Sequence, residues 1–411
     1  MKMSAETHNP LELRRGWKYV PMGTVVREDR RAIEPDSSDA IRLPYVGLED
    51  IESQTGVIRL RGYGTPPTSL TFAFNERHVL YGKLRPYLNK VALPNFEGRC
   101  STEAIPLLPS READRGFVAW FLRRQEVVAR VMANKTGSRM PRADMAKLLA
   151  MPIPLPPRPE QRRIVRVLDD QIAAVGRARA AAERDRQTIN DFERAAIHDV
   201  FGLRPLSIDV GHQAPQGWCW NLLTDVARLE SGHTPSRRHL EWWGGDIPWL
   251  ALPDIRALDG QTVADTLEKT NEAGLANSSA RLLPEETVVL SRTASVGFVA
   301  VMGRPMATSQ DFVNWVCGPK LLPWYLAYAL IASRYFLLSL ASGAIHKTIY
   351  VPTVKSLRIC FPPSEEQRRI VAKIEALRKS VHMARASVGA QLEAIEKLPV
   401  VLLDAAFRGE L

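Results

Sequence analysis

A chain of 411 residues is too long for one ordinary hydrophobic core and is expected to divide into roughly two to four units. Its 45% apolar and 24% charged residues are those of a folded globular chain, which excludes a disordered one, and its four cysteines (Cys100, Cys219, Cys317 and Cys360) form no CxxC pair. That excludes a zinc ribbon or disulfide framework and fits a reducing cytoplasm, while the net charge of +10 favours an acidic polymer as partner.

The basic surplus is local, because residues 1–157 carry 24 basic and 17 acidic side chains and each later segment lies within one charge of neutral. In chain order, the N-terminus has no apolar run of the signal-peptide kind. LPYVGL from Leu43, RHVLYGKL from Arg77 and TEAIPLL from Thr102 have the β-branched and aromatic enrichment of strands. GYGTPP at Gly62 has glycines but not the spacing of a phosphate loop. GFVAWFLRRQEVVARVMANKTG, from Gly116, predicts an amphipathic helix ended at Gly137, where glycine suits a left-handed cap. The proline cluster MPIPLPPRP then denies the chain both helix and interior strand. Beyond it, Ile164, Leu168, Val175, Ala178, Ala182, Ile189, Phe192 and Ala196 recur at alternating threes and fours, which predicts one long helix with a single apolar seam.

The second half repeats this order. DIPWLAL, TVVLSR, FVAVM and FVNWV read as strands. LLPWYLAYALIASRYFLLSLASGA from Leu321 approaches the length of a membrane span, but it contains Arg334 and matches the amphipathic first-half segment, so it predicts a buried helix ended near Gly343. GWKYV at Gly16 matches GWCWN at Gly217, LPYVGLEDI matches IPWLALPDI, and CSTEAI at Cys100 matches ATSQDF at Ala307. PPRPEQRRIV from Pro156 and PPSEEQRRIV from Pro362 agree at eight of ten positions, 206 residues apart. A second seam follows at Ile370, Ile374, Leu377, Val381, Ala384, Val388, Ile395, Leu398 and Leu402.

The chain therefore reads as an internal duplication of class α+β. Two similar mixed α/β domains are joined by two long helices that form an antiparallel coiled coil with a pseudo-twofold. The expected divisions are residues 1–157, a spacer helix 158–203, a second domain 204–363 and a C-terminal spacer helix 364–411. The expected register centres on Ala180 and Ala386. It sets Leu168 against Leu398, Ala178 against Val388, Ala182 against Ala384, Ile189 against Leu377 and Ala196 against Ile370. Gln171 and Gln391 then lie in neighbouring layers, where paired amides would fix the register. Pro399 is expected to kink or end the second helix.

The doubled PPxxEQRRIV after IPLPP-like strands, SGHTPSR from Ser231, GGDIPWL from Gly244 and KLPVVLLDAAFRGEL from Lys397 resemble the specificity subunit of type I restriction-modification enzymes. The resemblance covers nearly the whole chain, although the first copy lacks an SGxTP loop. It implies two target recognition domains, each binding one half of a split double-stranded DNA sequence. It also implies helices that dock two methyltransferase subunits, with restriction/translocase subunits joining the complex and no membrane involved. No catalytic residue or metal ligand is expected here. The chain has no Asn/Asp-Pro-Pro-Phe/Tyr sequence for a flipped base, no glycine-rich methionine-cofactor loop and no GxxxxGKS/T loop. S-adenosylmethionine, ATP and Mg are therefore expected on the partner subunits. The alternatives are a stand-alone DNA methyltransferase with unrecognised motifs and a DNA-binding coiled-coil regulator.

Side chains that reach base edges read sequence, while those on phosphates fix position. In the second domain the candidates are Ser231, His233, Thr234, Ser236, Arg237 and Arg238 of SGHTPSRRH, with Arg292, Thr293 and Ser295 of SRTAS. Ser309 and Gln310 of TSQD and His346 and Lys347 of IHKT complete that set. In the first domain they are Lys83, Arg85 and Lys90, then Ser101 and Thr102, then Lys135, Ser138, Arg139 and Arg142. Arg162, Arg163, Arg368 and Arg369 recur at identical helix positions and are read as helix-start or partner-facing residues.

Overall fold

A computed structural model describes residues 16–60, 69–209, 211–343 and 347–411. The chain forms two compact units, Met1–Glu183 with Ala390–Leu411, and Arg184–Gly389.

In the first unit, Lys18–Pro21 pairs antiparallel with Pro152–Leu155, with Lys18 opposite Leu155. GWKYV and the IPLPP segment are thus two edges of one ribbon. One four-stranded sheet has the order Val26–Glu28, Ala104–Pro109, Val79–Gly82, Val91–Ala92, and a second has Ala32–Ile33, Thr71–Phe74, Gly98–Ser101, Tyr45–Val46. The segment from Gly116 forms two helices, Arg115–Arg123 and Gln125–Ala133, because Arg124 takes an extended conformation between them. Asp114 caps the first by accepting from the amides of Gly116 and Phe117. Gly137 is left-handed, with φ of 77°, but lies beyond the end of the helix rather than capping it.

The second unit repeats the ribbon as Cys219–Leu222 against Arg358–Phe361, extended by Leu206–Ser207. Its main sheet runs Ala227–Ser231, Phe312–Cys317, Val288–Ser291, Val299–Met302, Thr262–Val263, beside a smaller sheet of Glu268–Thr270, Trp243–Leu250 and Ala307–Thr308. The apolar segment from Leu321 becomes Pro323–Ala332 and Arg334–Ser339, and Tyr325 through Leu330 are buried against the sheet with Trp315. Among the described residues no helix is long and apolar enough to cross a membrane.

The two proline-stopped motifs open the long helices Arg158–Phe201 and Ser364–Arg408. Within each unit their arms run antiparallel, but in a register other than the expected one. In the first unit Arg179 meets Glu396 at 3.4 Å and Arg163 donates to the carbonyl of Leu411. In the second, Glu193 takes Arg378 at 3.0 Å and Asn190 takes Arg385 at 2.9 Å. The arms are slid by about two turns relative to the expected pairing, roughly 8 residues at 3.6 per turn. Leu168 is buried in the same core as Leu403, Ala406 and Phe407, and Leu398, its expected partner, is 42% exposed. Gln391 is exposed, and the buried Oε1 of Gln171 has no hydrogen-bond partner, so no glutamine pair sets the register. Ala180 and Ala386 are both exposed, as is Phe192, and the buried positions on that stretch are Glu193 and Ile197, each one residue beyond the expected Phe192 and Ala196. Pro399 does not end the helix, which continues nine residues to Arg408. The ring costs one helix bond, leaving the Ile395 carbonyl without its amide.

Candidate nucleic-acid interface

The same scaffold presents loops in both units. In the second, the main-sheet strands end with Ser291 opposite Phe312, and the chain is then pinned twice. The Arg292 amide donates to Asp311 O at 2.8 Å, and Ala294, left-handed at φ 59°, donates to Lys347 O at 3.1 Å. Isolated bridges join Thr293 and Ser342 to Thr348. In the first unit Gly82 lies opposite Ala104, the Lys83 amide donates to Glu103 O at 2.9 Å, and Arg85, at φ 51°, donates to Pro141 O at 2.7 Å. Bridges there join Leu84 and Thr136 to Arg142. Lys83 thus corresponds to Arg292, Arg85 to Ala294 and Arg142 to Thr348. Segments some sixty residues apart in sequence are fastened into one surface by backbone hydrogen bonds, which fix loop geometry without specifying side chains.

In the second unit the SGHTPSRRH loop joins this surface. The His233 amide donates to Thr308 O at 2.8 Å, Thr234 Oγ1 bonds Gln310 Oε1, and Arg292 Nη2 donates to Gln310 O at 3.0 Å. Gly232 is needed for this approach, since a Cβ there would fall 1.9 Å from Ser309 O. Ser231, His233, Ser236, Arg238, Gln310 and Lys347 are exposed on the patch, with Thr234 and Thr293 partly so. Arg237 is committed to the fold instead. It forms a bidentate pair with Glu268, both bonds at 2.7 Å, and stacks 3.8 Å from the Trp243 ring centroid and 4.8 Å from that of Trp249. The hydrogen bond from Arg237 holds the Glu268 carboxyl below its ordinary value.

Two serines expected on the surface point inward. Ser309 is 2% exposed and bonds Asp311 Oδ2 at 3.0 Å, and Ser295, 8% exposed, accepts from Arg256 Nε at 2.6 Å. The Ser309 hydroxyl closes a local turn, also accepting from the Asp311 amide at 3.3 Å, whereas that of Ser295 ties its loop to an arginine 39 residues away. His346 lies outside the described residues.

The first-unit cations divide in the same way. Lys83 Nζ at 3.9 Å and Arg142 Nη2 at 2.9 Å converge on Glu103, whose hydrogen bond raises the Arg142 pKa. Lys90 Nζ donates to Leu48 O, and Ser101 Oγ accepts from the Glu103 amide at 3.2 Å, so both serve the fold. Thr102 is partly exposed. Arg85, Lys135, Ser138 and Arg139 are exposed, and among the described residues the three cations have no ion pair. They are the charges this face can offer to phosphates.

At the helix starts Arg162 and Arg368 are exposed, Arg163 pairs with Glu160 at 2.8 Å, and Arg369 pairs with Glu365 at 2.8 Å and Glu366 at 3.3 Å. These pairs lie within the first turns of the helices. The residue that sequence reasoning passed over is the glutamine between: Gln161 and Gln367 are both 0% exposed and tie each helix to its domain. The signal was available, since the doubled motif repeats Glu-Gln as faithfully as Arg-Arg.

The family described as type I restriction modification DNA specificity domain matches residues 44–178 and 215–392. The chain is 28% identical over 164 residues to the MjaIX type I restriction enzyme specificity subunit of Methanocaldococcus jannaschii, covering 39% of this chain and 38% of that one. It is 23% identical over 270 residues to the HindI specificity subunit of Haemophilus influenzae, covering 63% and 54%. The chain thus spans about half or less of the length of these curated relatives. Two solved structures share the fold along nearly their whole length. One, from work on complex assembly and conformational transition of the type I R-M system, has a TM-score of 0.79 at 23% identity, covering 98% of this chain and 100% of the other. The HsdS subunit from Thermoanaerobacter tengcongensis gives 0.64 at 22%, covering 98% and 99%.

Proposed function

The chain belongs to the type I restriction modification DNA specificity family, and on that premise we propose that it is the DNA-recognition subunit of a type I restriction-modification complex. Each unit reads one half of a bipartite double-stranded target, and the helices scaffold methyltransferase subunits, with restriction/translocase subunits joining them. The observation that carries this reading is the pinned-loop surface built twice, each time from polar and basic side chains fastened by the same backbone bonds. Two such surfaces on one chain suit a ligand with two separated half-sites.

On this reading the chain is not itself catalytic and works in the cytoplasm. S-adenosylmethionine, ATP and Mg act on the partner subunits. Its own chemistry is selection: exposed His233, Arg238 and Gln310 meet base edges, while Arg85, Lys135 and Arg139 meet phosphates.

The test is long-read sequencing of the host genome for adenine methylation with and without this gene, followed by exchange of residues 1–157 for a homologous domain. The expected result is a split methylated sequence that disappears with the gene and changes in one half only after the exchange. Methyl transfer by the purified chain alone, or no change in genomic methylation, would overturn the proposal.

A further inference from the structure

The duplication places equivalent helix positions 206 residues apart, and one pair of equivalent cavities differs in chemistry. In the second unit a cavity of about 420 Å³ lies between the domain and its helix arms. Every arginine lining it has a carboxylate: Arg334 on Asp259 at 2.8 Å, Arg378 and Arg385 on Glu193, and Arg194 on Asp191. In the first unit the equivalent of Glu193 is Pro399, that of Arg378 is Ile172, and Arg179 stands for Arg385. The central carboxylate is gone.

The resulting cavity has about 520 Å³, within the roughly 300–1,000 Å³ of small-molecule sites. Ile172, Val175, Ile395 and Leu403 form its apolar wall. Arg123 lines it and is 9% exposed. Its guanidinium donates to Val91 O at 2.7 Å and stacks 4.7 Å from the Trp120 centroid. Among the described residues no carboxylate lies within ion-pairing distance of it; Asp169, which accepts from Trp120 Nε1 at 2.9 Å, attracts it only from farther off. Burial lowers the Arg123 pKa only to about 10, so the group stays charged at neutral pH. A buried cation with no directly paired counter-ion is costly, and the carboxylate on the cavity lining, Glu396, pairs with Arg179 at 3.4 Å rather than with Arg123.

We propose that this cavity binds a small organic anion, with its carboxylate on Arg123 and a compact hydrocarbon body against Ile172, Val175, Ile395 and Leu403. The carboxylate supplies what Glu193 supplies to the arginines of the second unit. The proposal is independent of DNA recognition. Gly176, whose Cβ would meet nothing within 4 Å, lies on the cavity lining in an arm where alanine or leucine would favour the helix.

The test is calorimetric titration of the full chain with benzoate and octanoate, and with benzyl alcohol as the neutral counterpart of benzoate. We expect one saturable site per chain for at least one of the acids, with benzyl alcohol about tenfold weaker than benzoate or more. Arg123→Gln should abolish the preference for the acid. Gly176→Leu should weaken acid binding about tenfold or more while leaving the unfolding midpoint unchanged or raised, which guards against an Arg123 variant that fails to fold. No saturation by either acid at up to about 10 mM, equal binding of the alcohol, two sites per chain, or unaltered binding by Gly176→Leu would each overturn it.

Discussion

Gln161 and Gln367 make the same three hydrogen bonds in the two units. Gln161 donates to Pro156 O at 2.8 Å and Glu112 O at 2.9 Å and accepts from the Asp114 amide at 2.7 Å. Gln367 donates to Pro362 O at 2.9 Å and Lys320 O at 2.8 Å and accepts from the Leu322 amide at 2.9 Å. Each amide therefore satisfies the proline-stopped end of the ribbon and the start of the domain helix together. Replacing either glutamine by alanine strands buried backbone groups at roughly 1–3 kcal/mol each. Partial rehydration should leave a loss of about 2–4 kcal/mol in urea unfolding. Glutamate should be no better, since it keeps the acceptor but faces two carbonyls with a carboxylate. A loss below about 0.5 kcal/mol would mean the clamp is not holding the helix.

The exposed and inward-facing residues of the second unit should separate in experiment. Gln310→Ala and Arg238→Ala are expected to relax preference in one half-site or weaken binding by about 1–3 kcal/mol with an unchanged melting temperature. Ser309→Ala and Ser295→Ala should lower the melting temperature and leave base preference alone. The check is binding selection from a randomised DNA pool beside thermal unfolding.

Salt dependence should count the free cations. Arg85→Ala and Arg139→Ala are each expected to reduce the slope of log affinity against log salt by about 1, the signature of a lost phosphate contact. Lys83→Ala should reduce it less, because Glu103 already faces that ammonium at 3.9 Å. Equal slopes for all three variants would place the phosphate path elsewhere.

The Arg237 clamp should respond to acid. Glu268 is held below its ordinary value of 4.5 by Arg237, so the pair is fully present above that value and is lost as pH falls through the lower folded one. Arg237 stacks on Trp243 and Trp249, so their fluorescence should stay constant above pH 4.5 and change below it. In Glu268→Gln that step should vanish, and a step persisting in the variant would assign it to another group.

Sequence by itself determined the elements and their order. The seven strand segments read from it all appear as strands, because alternating or fully apolar β-branched runs have few other ways to be buried. The doubled motif marked both helix starts, since proline before a glutamate-rich first turn stops one element and begins the next. The apolar run from Leu321 was legible as core because Arg334 sits inside it, and that arginine reaches Asp259 at 2.8 Å.

Only the tertiary structure decided the register and the direction of the polar side chains. A seam that repeats every seven residues matches itself at several offsets, so the two helices alone specify it weakly. The choice is made by contacts to the domain, which no helix periodicity contains. Phe407 packs 4.8 Å from the Phe117 centroid and 5.7 Å from that of Phe121, and Arg124 pairs with Asp404 at 3.2 Å. Likewise a serine or arginine in a loop has the same letter whether it meets solvent or closes a turn. Ser309 turns inward and Arg237 is held down on the surface because Asp311, Glu268 and two tryptophans stand where the fold brings them, up to 31 residues away along the chain.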